Sequence, residues 1–213
     1  MAGGAVKGLG GRLRNAQTRF APPRRCAAGL AALLLAAALS ACTSLIAGPP
    51  NNIFDLSAPG DVQAPRGGLQ ILVPEPRTVR ALDTDRIAAR PSPSQYAYLP
   101  GAVWSDRLPK LLQARMVETL QNSGQVRAAS VPGQGLLIDY QLVMDVRAFE
   151  LTSEGALVDL AVKVMNDTNG RIVRSRVFRQ LVTVGSTQPA MVVHSLDYAM
   201  DLAFAEIVDW ALR

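Results

Sequence analysis

Thiols and imidazoles are scarce in this sequence. Two of its 213 residues are cysteine and one is histidine, and both cysteines, Cys26 and Cys42, fall near the N-terminus. The chain beyond Cys42 has no thiol, so no disulfide can staple it, and neither a cysteine nucleophile nor a thiolate zinc site can be built there. Its only imidazole, His194, lies off the apolar stripe of a predicted helix and reads as a solvated helix residue. No Gly-Lys-Ser/Thr phosphate loop and no strand-coupled Gly-x-Gly-x-x-Gly is present. Aromatic residues make up only 5% of the chain. With catalytic and metal-binding raw material this thin, the expectation is a non-enzyme that carries no metal.

What is present begins with a secretory leader. Residues 1–25 hold Lys7, Arg12, Arg14, Arg19, Arg24 and Arg25 and no acidic residue. An apolar run rich in Leu and Ala follows from Ala27 to Leu39. It matches the roughly 7–15 residues of a signal core and falls short of the ~20 needed to span a bilayer. Leu39-Ser40-Ala41-Cys42 then resembles the lipobox of bacterial lipoproteins. That resemblance implies cleavage before Cys42 and a covalent diacylglycerol and N-acyl lipid on its sulfur and amine, with no other cofactor. Thr43 follows. An Asp at that position would, in enterobacteria, favour retention in the inner membrane, so Thr43 implies the outer membrane.

Removing residues 1–41 reverses the electrostatic picture. The formal charge of +5 and pI near 9.7 suggest nucleic acid. Yet six of the 22 basic residues and none of the 17 acidic ones lie in the leader, leaving 16 basic against 17 acidic. No nucleic-acid partner is expected. The mature length suits one domain whose apolar core must hold it unaided.

The expected organisation is a signal peptide over 1–41, a lipidated N-terminus and tether over 42–52, and a single periplasmic domain over 53–213. Ile53–Leu56 and Leu69–Val73 are strand candidates bounded by Pro or Gly. Residues 77–100, with Pro91, Pro93 and Pro100, read as irregular apart from a short strand at Tyr96–Leu99. Leu108, Leu111, Leu112, Met116 and Leu120 mark a helix from about Ser105 or Pro109 to Gln121, stopped at Asn122-Ser123-Gly124. Alternating apolar residues from Tyr140 to Val146 and from Ala156 to Val164 mark two strands of a sheet with one covered face. Asn166–Gly170 reads as a hairpin turn, and its sequon-like Asn166-Asp167-Thr168 as part of that turn. A third strand over Ile172–Val184 changes parity at Val177-Phe178, which predicts a bulge. A final helix spans Pro189–Leu212. The fold class is therefore α+β: an antiparallel-rich sheet with two long helices packed on one face.

One segment stands apart. Tyr98-Leu99-Pro100-Gly101-Ala102-Val103-Trp104-Ser105-Asp106-Arg107-Leu108-Pro109 concentrates aromatic and apolar residues in an expected loop. Tyr98, Leu99, Trp104 and Arg107 are candidates for a partner interface, where Trp, Tyr and Arg are typical anchors. The competing expectation is that Trp104 plugs the end of the core while Asp106 and Arg107 pair locally. Asp83, Asp85 and Arg86 read as a surface charge network.

With these residues in view, the chain resembles the auxiliary lipoproteins of ABC-type transport systems, the PqiC-like group that accompanies MCE-domain lipid transporters. The similar stretches are Ala81-Leu82-Asp83-Thr84-Asp85-Arg86-Ile87-Ala88, Tyr98–Gly101 with Trp104–Pro109, Val117–Gly124, and Asn166–Val173. Their order and spacing carry the likeness, since none is catalytic. The resemblance implies an outer-membrane-anchored docking or bridging component in the cell envelope. Its partners would be the membrane, a periplasmic MCE-domain protein and, through that protein, an ABC permease and ATPase moving phospholipid. Two other roles are open at this point: a periplasmic lipid-binding carrier holding an acyl chain between helix and sheet, and an outer-membrane assembly lipoprotein.

Cys42→Ala is expected to move the protein from the membrane to the soluble fraction. Ultracentrifugation of cell envelopes with immunoblotting checks it, and full membrane retention of the variant is the contrary result.

Overall fold

The computed structural model describes residues 52–60 and 68–213. Cys42, the leader and nearly all of the expected tether lie outside the described residues. The sheet is organised around β7 (Tyr140–Thr152), a 13-residue strand. One edge of β7 pairs antiparallel with β8 (Ala156–Asn166), which pairs antiparallel with β9 (Ile172–Val182). Its other edge receives three short parallel partners in succession. β2 (Gln70–Leu72) joins at Tyr140–Gln141, β3 (Arg77–Thr78) at Asp145–Val146, and β4 (Arg86–Ser92) at Glu150–Thr152. β2 pairs onward with β6 (Ala128–Ser130), while β4 pairs antiparallel with β5 (Gln95–Trp104) and β5 parallel with β1 (Asn52–Phe54). The result is an open, mixed sheet of nine strands. Its three most extensive pairings are antiparallel and its short ones parallel.

Local chemistry sets the two long hairpins. Between β7 and β8, the Thr152 hydroxyl donates to the Gly155 carbonyl at 2.9 Å and accepts the amides of Glu154 and Gly155. Gly155 sits at φ +144°, and a Cβ there would lie 2.3 Å from the Val182 carbonyl oxygen, so only glycine lets β9 approach. Between β8 and β9, Asn166 and Asn169 side chains accept the amides of Asn169 and Arg171, closing the predicted hairpin turn.

Two helices cover one face. α1 (Leu108–Asn122) starts with Pro109 in its first turn, where the missing amide costs nothing, and ends before Gly124 at φ +62°. α2 (Pro189–Leu212) lays Val192, Leu196, Ala199, Met200, Ala203, Phe204 and Ile207 onto the sheet, all fully buried. From the sheet, Leu142, Met144, Phe149, Val158, Leu160, Val162 and Phe178 meet them in a continuous core. Trp104 meets Phe149 edge-on at 5.9 Å, and Trp210 meets Phe178 edge-on at 5.3 Å. The predicted α+β class with both helices on one face is the one observed.

Two expectations are corrected. The stretch 77–100 is not irregular: it contains β3, β4 and most of β5. Pro91 lies in the register shift near the end of β4, Pro93 in the β4–β5 turn itself, and Pro100 before Gly101 at φ +68°, so prolines sit where ladder hydrogen bonds are interrupted. The bulge expected at Val177-Phe178 is absent, because the β8–β9 register runs unbroken from Ala156↔Val182 to Val164↔Arg174 and shifts only beyond it. The parity changes because Arg174 and Arg176 point to the helix side. There Arg174 donates to the Trp210 carbonyl at 2.8 Å, and Arg176 pairs with Glu206 while lying over the Phe178 ring. Long cationic stems cover the rim of the core where apolar residues would otherwise continue the pattern.

Phe204→Ala is expected to destabilise the protein by about 3–5 kcal/mol, as buried aromatic truncations do. His194→Ala, on the exposed side of the same helix, is expected to change it by less than ~0.5 kcal/mol. Urea unfolding followed by circular dichroism distinguishes the two.

Candidate functional site

The segment singled out in the sequence forms a corner where β5 turns into α1. Tyr98 lies on β5 and donates its hydroxyl to the Ala81 carbonyl at 3.1 Å, with the Arg86 guanidinium 3.7 Å above its ring. Leu99, next on the strand, is half-buried against the core. The amide of Trp104 donates to the Asp85 carbonyl, and the amide of Leu108 to the Thr84 carbonyl. Arg107 flanks the helix start, where its guanidinium bonds Asp83 and reaches Glu75 at 3.0 Å. The hydrogen bond that Arg107 donates to Asp83 is the main cause of its raised guanidinium pKa. These contacts tie residues 81–86 to residues 98–108. Two stretches that carry the family likeness are therefore each other's packing partners.

As a partner interface the corner needs correcting at its centre. Trp104 is 2% exposed, with its indole against Phe149. A β-strand end beneath a helix start points that side chain inward, which is the core-plug alternative. Arg107 pairs with Asp83 and Glu75 across the corner, while Asp106 accepts the Arg107 amide and lies 3.9 Å from Lys110. Of the four candidates only Arg107 is exposed, and Tyr98 and Leu99 are partly so.

A second arrangement, which sequence reasoning missed, receives the chain as it arrives from the N-terminus. β1 joins the sheet beside β5, and the Ser105 amide donates to the Phe54 carbonyl at 2.7 Å. Leu56 is buried in the core. Asp55 accepts Arg115 of α1 at 2.8 Å, and burial, which raises its carboxyl pKa, is outweighed by that guanidinium so that the net shift is downward. The Ser57 amide and hydroxyl both donate to Asp197 of α2, at 2.8 and 2.9 Å, and the hydroxyl also faces Asp201. Residues 52–57 are thus strapped to β5, α1 and α2 at once. Asp197 and Asp201 stand one helical turn apart, so their like charges repel, and the Ser57 donor partly offsets that repulsion. Burial first, and the Asp197 charge second, push the Asp201 carboxyl up to about 6. The spacing of these two acids was visible in the sequence, but nothing local indicated Ser57 as their partner.

The surface also has an apolar cleft of about 290 Å³ at one end of the sheet, lined by Leu69, Ile71, Tyr140, Leu142, Val164 and Leu212. Among the described residues no helix is long and apolar enough to cross a membrane, and no group of three or more His, Cys, Asp or Glu side chains is placed to hold a metal ion.

Comparison with known proteins places this geometry in context. The model of the family described as ABC-type transport auxiliary lipoprotein component matches residues 54–208. An uncharacterized protein of Bradyrhizobium diazoefficiens is 27% identical over 164 residues, covering 75% of this chain and 44% of the relative. This chain thus spans less than half the length of that protein. Among solved structures, protein XCC0632 of Xanthomonas campestris, from family DUF330, is 28% identical with a TM-score of 0.71, covering 76% of this chain and 94% of that one. A second crystallised protein, itself uncharacterized, shares the fold at 16% identity and a TM-score of 0.61, covering 75% and 97%.

A carboxyl that holds its proton more tightly when folded favours the folded state below its ordinary value of 3.8. That advantage is lost as pH rises through about 6. Asp201→Asn is therefore expected to raise the melting temperature by a few degrees at pH 7–8 and to change it little at pH 4. Calorimetry at both pH values checks this, and an equal effect at both would show that Asp201 is not destabilising when ionised.

Proposed function

The chain belongs to the ABC-type transport auxiliary lipoprotein family, and from that membership we propose that it is an outer-membrane-anchored docking component of an ABC/MCE-type phospholipid transport system. The family is a transport-auxiliary one rather than an enzyme class. In this role lipidated Cys42 holds the domain at the periplasmic face of the membrane. Nine residues lie between Cys42 and Asn52, a reach of at most about 35 Å at full extension. The strap over residues 52–57 would pass any pull from the anchor into both helices and the sheet together.

The observation that carries the docking role is the free edge of β9. Among the described residues its 11 residues pair only with β8, so its outer amides and carbonyls have no strand partner among them. Val177 and Leu181 are exposed on the face away from the helices, and Ile172 and Val173 are exposed beside the turn. The edge lies across the sheet from β1, where the tether enters. An extended segment of a periplasmic MCE-domain protein could add there as a further strand, with main-chain hydrogen bonds for affinity and apolar pockets for register. Arg174, Arg176 and Arg179 on β9 favour a partner strand bearing carboxylates, because a second copy would bring like charges together. Through that partner the protein would connect to the permease and ATPase.

The carrier role has less support. Among the described residues the space between helices and sheet is lined by fully buried side chains in one continuous core, which favours a packed interior over an acyl-chain cavity. The 290 Å³ cleft lies at the small end of ligand-pocket sizes.

A photo-crosslinking residue at Val177 is expected to capture an MCE-domain protein in intact envelopes. The pair Val177→Glu and Leu181→Glu is expected to reduce its recovery at least tenfold without changing the melting temperature. Unchanged recovery would remove β9 from the interface, and absence of any MCE-domain protein from the captured material would remove the proposed partner.

A further inference from the structure

The helix-free face of the sheet carries a polar pocket of about 360 Å³, bounded by Arg90, Arg147, Glu150, Asp159, Arg179 and Leu181. Its floor holds two carboxylates that are almost inaccessible: Glu150 is 2% exposed and Asp159 5%. The β7–β8 register explains their placement. Ala148↔Asp159 and Glu150↔Leu157 put the two acids on diagonal positions of one face, with Cβ atoms roughly 7–8 Å apart. The bulge between Val146 and Ala148 is what turns Glu150 to this face while Phe149 enters the core.

Neither acid is fully used. Arg90 reaches Glu150 Oε1 at 2.9 Å, but Glu150 Oε2 has no hydrogen-bond partner, nor has Asp159 Oδ1. Arg147 and Arg179 stand 3.4 and 3.8 Å from the two oxygens of Asp159, beyond good hydrogen-bond geometry, and both arginine side chains are more than half exposed. Arg90 is otherwise occupied, lying over Tyr96 and bonding its hydroxyl and the Pro93 carbonyl. Burial pushes the Glu150 carboxyl up despite Arg90, so a further cation at its free oxygen would be favourable.

We propose that this pocket binds a zwitterion in which a primary ammonium is joined by a short linker to a phosphate or phosphodiester. The ammonium donates to Glu150 Oε2 and Asp159 Oδ1 on the floor, and the anion is taken by Arg147 and Arg179 at the rim. A guanidinium pair matches phosphate oxygens in geometry as well as charge. Two separated acceptors demand N–H donors, which a primary ammonium has and a quaternary one lacks. An amino-acid zwitterion holds its charges on neighbouring atoms, too close to span floor and rim. The same chemistry occurs in free phosphoethanolamine and in phosphatidylethanolamine headgroups. The site shares Arg179 and Leu181 with β9, but its floor acids lie on β7 and β8 and its test needs no MCE-domain protein, so it and the β9 docking role can fail separately.

The test is calorimetric titration of the lipidated protein, held in a non-ionic detergent, with O-phosphoethanolamine, phosphocholine and inorganic phosphate. Saturable binding of O-phosphoethanolamine is expected, with phosphocholine and phosphate each at least tenfold weaker. Asp159→Asn and Glu150→Gln are expected to weaken it at least tenfold. So is Arg179→Ala, which alters an exposed side chain and leaves the core untouched if either acid variant misfolds. Equal affinity for inorganic phosphate would reduce the site to an arginine patch, and no saturation would mean that water alone satisfies the free oxygens; either result overturns the proposal. Co-sedimentation of the soluble Cys42→Ala variant with phosphatidylcholine vesicles, with and without phosphatidylethanolamine, then separates the two sources. Capture only by the mixed vesicles assigns the headgroup, and binding of the soluble compound without vesicle capture assigns the free metabolite class.

Discussion

Every other strand takes its position from β7. One of its edges is a single long antiparallel pairing with β8, and the other is divided among β2, β3 and β4, each holding only two or three residues of it. Short parallel pairings contribute little on their own and need both faces or a neighbouring element for support. They persist here because α2 clamps the opposite half of the sheet through its fully buried stripe, and because β7 is itself buried on that face. With no cysteine beyond Cys42, that apolar contact has no disulfide to share the work.

This arrangement separates the molecule into sides with different duties. The β1 side receives the N-terminal strap, with Leu56 in the core and Asp55 and Ser57 fastened to α1 and α2. The β9 side ends in an unpaired edge with exposed apolar residues. Between them, the helix-free face is partly closed by ion pairs such as Lys163–Asp145 and opens into the pocket over Glu150 and Asp159.

Much of the fold was legible in residue order. Both helices, the β7–β8–β9 meander and its two turns follow from periodicities of 3.6 and 2 and from Gly, Asn and Ser at the turns, all of which act within a few residues. β4 and most of β5 were not legible. Their prolines resemble loop punctuation, and β4 is held both by its hairpin partner β5 and by Glu150–Thr152, some sixty residues away. The parity change in β9 was legible but misread, because an arginine at a sheet rim and a bulge both interrupt an apolar alternation. Of the candidate interface, Arg107 is at the surface as expected, whereas Trp104 belongs to the core.

The sequence by itself determined where the chain is helical, where it forms its long antiparallel strands, and which face of each is apolar, since those properties come from local dihedral preference and side-chain alternation. Only the tertiary structure decided that Trp104 faces Phe149, that Ser57 meets Asp197 and Asp201, and that Glu150 and Asp159 share a pocket with three arginines. Each of those outcomes depends on a strand register or a helix seat set by non-local packing. A one-residue change in such a register moves a side chain to the opposite face.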